Sequence, residues 1–207
     1  HMLFANARAM KLAGINDQTP DPDGGRVLRD DRGRAIGVFR ETAGSLIRLA
    51  QRRGMATLSA TQLEANQLEA IKLATDECLA NGITSFQDAG SSFADVDRFR
   101  RLIGTGSLRI RLWVMLNESN DRLRTLLPEY RTVDEGDGFL TVRAIKRMAD
   151  GALGSHGAWL LEPYNDLPDS RGLVVTPIES IKETALLAIR HHMQLCVHAI
   201  GDRANRE

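Results

Sequence analysis

Two residues in this sequence have side chains suited to catalysis and stand near the carboxyl ends of expected strands. Lys146 lies near the end of the run Phe139 to Met148, and His198 closes the run Leu195 to His198. In a strand the side chains alternate, so Val142, Ala144, Lys146 and Met148 are expected on one side, with Arg143, Ile145 and Arg147 on the other. An isolated buried ammonium is costly. Lys146 must therefore be ion-paired, for instance with Asp150, or deprotonated, or chemically changed. His198 at a strand's carboxyl end suits a metal ligand or a general base, or a structural histidine held by its neighbours.

Further polar groups follow the same pattern. Asp150-Gly151-Ala152-Leu153-Gly154-Ser155 comes directly after the Lys146 strand. Loops after strands carry function in parallel α/β folds, and Gly151 and Gly154 would let backbone approach a ligand. An ordinary turn reads equally well, and no Gly-Lys-Ser/Thr follows that would make it a phosphate loop. His156 is placed to reach a substrate or to lie on the surface. Asp88 ends the run Ile83 to Gln87 and is expected on the same rim as Lys146 and His198, or as a turn or cap residue. No Ser-His-Asp order, Cys-x-x-Cys pair or His-Glu-x-x-His helix is present.

The elements that would position these groups are legible. From residue 59 onward, strands at 83–87, 108–116, 139–148 and 195–199 alternate with helices. Thr61 to Glu64 reads as a capping box, Pro128 as a helix stop, and Ile178, Ile181, Ala185, Ala188 and Ile189 as a buried stripe. Strands separated by helical crossovers form a parallel sheet, and either a doubly wound sheet or part of a (β/α)₈ barrel fits four strands. Before residue 59, Arg26 to Arg29 and Ala35 to Phe39 flank Asp30 to Arg34 as a β-hairpin. The expected organisation is a cloning scar at 1–2, an insertion with the hairpin at 3–58, and a partial barrel at 59–207.

Composition narrows the function classes. The 207 residues carry 27 basic and 27 acidic side chains, so net charge is zero. A nucleic-acid surface or polybasic membrane anchor is not expected, nor is a membrane span, since no apolar run reaches roughly 20 residues. The two cysteines, Cys78 and Cys196, are far apart, which suits a reducing, cytoplasmic setting.

In order along the chain stand Leu3 to Ile15 (LFANARAMKLAGI), Pro22-Asp23-Gly24-Gly25, Asn81-Gly82-Ile83-Thr84-Ser85 with Asp88-Ala89-Gly90, Ala149 to Ser155, Leu161-Glu162-Pro163-Tyr164, and Val197 to Asn205 (VHAIGDRAN). This set resembles the metal-dependent amidohydrolase superfamily, in the branch that includes N-substituted formamide deformylase. The resemblance implies a (β/α)₈ barrel, of which this chain matches about strands two to five. It also implies hydrolysis of non-peptide carbon–nitrogen bonds in a small amide-like substrate by water activated on one or two divalent metals, commonly zinc. Lys146 would correspond to a lysine that is carboxylated to bridge metals, His198 to a metal ligand, and Asp150 and the glycine loop to the substrate pocket.

Departures from the pattern matter. A first-strand His-x-His pair, a sixth-strand histidine and the eighth-strand aspartate that serves as base are absent, and His156 stands where arginine is expected. Two ligands fall short of the three or more of a catalytic zinc. The isolated chain is therefore expected to be inactive and to self-associate through exposed sheet edges. The alternatives are a non-catalytic binding or assembly module and an unrelated flavodoxin-like sheet.

Overall fold

A computed structural model describes residues 1–207. In chain order the elements are β1 (Met2–Phe4), α1 (Ala7–Ala13), β2 (Gly25–Arg29), β3 (Ala35–Glu41), α2 (Gly44–Met55), α3 (Ala60–Ala80), β4 (Ser85–Ser91), α4 (Phe93–Gly104) and β5 (Arg111–Leu116). They continue with α5 (Asn120–Tyr130), β6 (Thr132–Asp134), the single turn α6 (Glu135–Gly138), β7 (Leu140–Met148), α7 (Ile178–Arg190), β8 (Gln194–His198) and α8 (Asp202–Arg206). A 3₁₀ turn, Leu153–Ser155, follows β7. Two compact units emerge, and neither is one continuous stretch. The first comprises His1–Leu63, Met148–Ile178 and His198–Glu207, the second Glu64–Arg147 and Glu179–Val197. Residues 59–207, expected from sequence as one partial barrel, are shared between the units.

The first unit holds a three-stranded antiparallel sheet, ordered β1-β3-β2. Its core is Val27, Phe39 and Ala43, with Leu3, Met10 and Ile15 packed against them. The turn from β2 to β3 occupies Asp30 to Arg34. Asp30 Oδ1 accepts the N–H groups of Arg32 and Arg34, and Gly33 takes the left-handed conformation that closes the turn. His1 and Met2 belong to this sheet rather than hanging from it. Met2 is registered with Arg40, and the Glu41 N–H donates to the His1 carbonyl.

The second unit holds the parallel strands β4, β5 and β7, with β6 joined to β7 by an antiparallel pair and β8 also pairing β7. One face is covered by helices. Phe93, Val96 and Phe99 of α4, Leu123 and Leu127 of α5, and Leu187 and Ala188 of α7 share a core with Leu112, Val114, Leu116, Leu140, Val142 and Ile145. Three local readings need correction. The capping box is formed by Ser59 and Gln62, which exchange reciprocal hydrogen bonds, and not by Thr61 and Glu64. Pro128 lies inside α5, whose last turn continues to Tyr130. The buried face of α7 is Thr184, Leu187 and Ala188, while Ile189 is 72% exposed. Thr184 is drawn inward because its hydroxyl meets the buried guanidinium of Arg147, an interaction that hydrophobic periodicity does not register.

Strand β7 departs from strict alternation. Val114 is registered with Val142 but Met115 with Ala144, so Arg143 is an extra residue on β7, a β-bulge. Leu140 and Val142 before the bulge, and Ile145 and Arg147 after it, therefore face the helices. Lys146 shares its side with Ala144 and Met148 but not with Val142, which corrects the face assigned from sequence.

A one-sided sheet has a direct consequence. Leu116→Ala, which truncates a fully buried side chain on the helix-covered face, is expected to lower stability by about 3 kcal/mol. Trp113→Ala, on the other face of the same strand, should cost clearly less. Urea unfolding of both variants checks the asymmetry.

Candidate functional site around His198

Asp150 organises the polar loops of the first unit. It is completely buried. Its Oδ2 accepts the N–H groups of Trp159 (2.8 Å) and Gly201 (2.7 Å), and its Oδ1 accepts that of Ile200 (3.0 Å). Three charge-assisted bonds to backbone hold the loop after β7 against the segment after β8. Asp150 is therefore a brace, with its oxygens directed toward backbone donors.

His198 sits beside this brace. Its Nε2 lies 3.1 Å from the Gly151 carbonyl and 3.8 Å from Asp150 Oδ1. A carbonyl only accepts, so Nε2 carries the proton, and the neutral ring keeps its lone pair on Nδ1. That pattern, one ring nitrogen donated to a carbonyl and the other left as a donor atom, is the arrangement a metal-ligating histidine needs. The His1 ring stacks on the His198 ring with centroids 5.1 Å apart.

Sequence reasoning missed Glu41. It ends β3 at φ 45°, a left-handed backbone that non-glycine residues rarely adopt. Its side chain is 4% exposed and accepts from His1 Nδ1 at 3.0 and 3.1 Å. The same carboxylate meets the Ala152 N–H at 3.4 Å and the Ser155 hydroxyl at 3.5 Å. A Cβ at Gly151 would overlap the Glu41 carboxylate, as would one at Gly157. The group that closely approaches backbone at Gly151 is thus the protein's own carboxylate, where sequence reasoning expected a ligand. A cavity of about 200 Å³ opens beside it, lined in part by His1, Glu41, Arg48 and Met148. The only signal that could have singled out Glu41 was its place at the end of a strand, which is weak.

His156 is fully engaged. Arg40 Nη2 donates to its Nδ1 at 3.2 Å, so the proton resides on Nε2, which meets Asp166 Oδ2 at 2.9 Å. The ring also packs edge-on against Tyr164. Burial pushes the Arg40 guanidinium below its ordinary value, and its Nε has no partner. His156 therefore relieves a costly cation, and both of its ring nitrogens have a partner within the protein.

Lys146 and Asp88 belong to the second unit. Lys146 is half-buried on the sheet face opposite the helices and enters no ion pair within its unit. Asp88 is not at a strand end. It lies within β4, registered with the buried Val114, and accepts the Ser91 hydroxyl at 2.6 Å and the Gly90 N–H at 3.2 Å. Its side chain thus turns to the helix-covered face instead of the rim. Beside Lys146, Arg147 is 7% exposed and ties Thr184, Asn120 and the Glu118 carbonyl together.

Taken as a donor set, these residues do not complete a metal centre. No group of three or more His, Cys, Asp or Glu side chains is placed to hold a metal ion, whereas a catalytic zinc takes three protein ligands. His198 has the right tautomer for one ligand and no more than that.

The comparisons with known proteins follow the same outline. Residues 1–206 match the sequence pattern of the Amidohydrolase family. YtcJ of Bacillus subtilis is 30% identical over 211 residues, covering 99% of this chain and 37% of that protein. The protein LONG AFTER FAR-RED 3 of Arabidopsis thaliana is 28% identical, with 99% and 35% covered. N-substituted formamide deformylase of Arthrobacter pascens is 30% identical over 108 residues, or 52% of this chain and 19% of that enzyme. An uncharacterized metal-dependent hydrolase from Pyrococcus furiosus superposes with a TM-score of 0.67 at 25% identity, covering 99% of this chain and 39% of its own. The chain thus spans little more than a third of the length of YtcJ.

Two consequences can be measured. Asp150→Asn puts an amide N–H₂ among the backbone donors and should cost about 3 kcal/mol in urea unfolding. For Asp166, the His156 hydrogen bond holds its carboxyl below the usual range. A carboxyl lowered in the folded state contributes stability above its unfolded value, and that contribution is lost as pH falls through the folded value. The stability difference between the parent and Asp166→Asn should therefore be constant above about pH 5 and shrink below about pH 4.

Proposed function

Because the chain belongs to the amidohydrolase family, we propose that it is a section of a metal-dependent hydrolase that cleaves carbon–nitrogen bonds, other than peptide bonds, in small amide-like molecules. The observation that carries this reading is His198, whose Nε2–H is donated to the Gly151 carbonyl so that Nδ1 remains a donor atom. In the whole protein His198 would hold a divalent metal, zinc being the natural choice for a nitrogen and oxygen donor set, and Lys146 would join it as a carboxylated lysine. Such a metal lowers the pKa of bound water and polarises a carbonyl. The work of this chain's own residues is positional. Asp150 fixes the segment that carries His198, and Glu41 fixes the glycine loop whose carbonyl sets the His198 tautomer.

The chain by itself does not fit a catalytic centre, since its donors do not converge in threes. The isolated chain is proposed to be inactive, with Lys146 as an unmodified lysine, and to self-associate through the exposed edge of β4. The setting proposed is cytoplasmic, without nucleic-acid or membrane partners. No helix is long and apolar enough to cross a membrane. The second reading, a non-catalytic binding or assembly module, is favoured by that same lack of convergent donors.

Metal content and hydrolysis of an N-substituted formamide panel, measured on the 207-residue chain and on the full-length protein, separate the readings. The full-length protein should contain metal and turn over, and His198→Ala should lower its activity at least ~100-fold. The short chain should do neither, and its intact mass should show no added carboxyl group. Turnover by the short chain at the full-length rate, or no metal in the full-length protein, would overturn the proposal.

A further inference from the structure

The long helix α3 is attached by charge and by Ile71 and Cys78, which pack against the core of the second unit. Of its residues only Thr75 is buried. Ion pairs fasten both ends: Glu64 to Arg98 and Arg101 near the start, and Asp76 to Arg109 toward the end. Between these attachments lies a cavity of about 180 Å³. Ile71, Ala74 and Cys78 of α3 form its roof, and Ile110, Leu112 and Phe99 form its apolar floor. The cavity is open on one side, and a space of roughly 150 Å³ is large enough to admit one benzene-sized molecule.

Two polar groups break the apolar lining. Thr75 is 5% exposed and lines the cavity, yet its hydroxyl has no hydrogen-bond partner in the protein. The Thr75 oxygen is not among the buried unpartnered atoms, so it opens to the cavity and is available to a molecule that enters. Asp88 supplies the second group. Its carboxylate is half-buried and accepts one bond on each oxygen, from Ser91 and Gly90. Each carboxylate oxygen has two lone-pair sites, so capacity remains on both. Phe86, 46% exposed, lines the cavity from the edge strand β4.

We infer that the space beneath α3 is a binding site for a small primary amine bearing one aromatic ring or a branched alkyl group. The apolar part fills the cavity between Ile71, Ile110 and Phe99, while the ammonium donates to Asp88 and to the Thr75 hydroxyl. An anionic ligand of the same shape is excluded by Asp88, and a neutral hydrocarbon fills the space but leaves Thr75 unpartnered. The inference does not rest on the proposed hydrolytic activity, because none of these residues belongs to the His198 cluster.

Benzylamine, toluene and phenylacetate serve as probes on the 207-residue chain carrying Cys196→Ser, which leaves Cys78 as its one thiol. Benzylamine should shift the methyl resonances of Ile71, Ile110 and Leu112 and slow alkylation of Cys78 several-fold at saturation. Toluene should bind more weakly, and phenylacetate more weakly still. Asp88→Asn should weaken benzylamine about tenfold and leave toluene unchanged. Ala74→Phe, which fills the cavity, should abolish binding of all three probes. Equal binding of the three, no methyl shift with benzylamine, or unchanged benzylamine affinity in Asp88→Asn would overturn the inference. Should Ala74→Phe fail to fold, as judged by its Leu127 methyl resonance, the Asp88→Asn comparison decides the question alone.

Discussion

The first unit depends on one buried carboxylate. It is assembled from three stretches of sequence that local interactions alone would not bring together. Asp150 joins the second stretch to the third by accepting backbone N–H groups from Ile200 and Gly201, and it holds its own stretch in shape through Trp159. A buried carboxylate without such donors would be costly, and backbone N–H groups buried without an acceptor would be too. Each requirement satisfies the other, which fixes where His198 stands.

A second carboxylate performs the matching task for the first stretch. Glu41 leaves β3 in a strained left-handed conformation and places its oxygens against the loop at Ala152 and Ser155. The glycines at 151 and 157 are the counterpart of that placement, because a side chain at either would collide with it. Strain at a single residue is tolerated where the surroundings over-determine it, and here the His1 ring and the glycine loop do so. A structural carboxylate, a histidine pair and a glycine loop therefore form one connected arrangement around the candidate ligand.

In the second unit the organising constraint is apolar. Helices α4, α5 and α7 cover one face of the sheet, and the core they share with β5 and β7 is continuous. Arg147 is the exception within it: burial lowers its guanidinium below the ordinary value, and Thr184, Asn120 and the Glu118 carbonyl surround it with acceptors. This polar knot explains why a threonine, and not the neighbouring isoleucine, faces inward on α7. Helix α3 adds only the partly buried Ile71 and Cys78 to that core and is also tied by ion pairs, which are weak at exposed positions.

By itself the sequence determined the alternation of strands and helices after residue 59, the hairpin across Asp30 to Arg34, and the residues most worth inspecting. Those features follow from local periodicity, turn chemistry and side-chain type, which act over a few neighbours. The tertiary structure alone decided which way those residues face. One extra residue at Arg143 moved Val142 to the side opposite Lys146, because strand alternation carries no memory past a bulge. Asp88 turned toward the helices because its register with Val114 was set by a neighbouring strand. Asp150, Gly151 and His156 proved to be engaged by Gly201, Glu41 and Arg40, partners between 51 and 116 residues away. A carboxylate's role depends on which donors surround it, and those donors come from distant parts of the chain that only folding brings within reach.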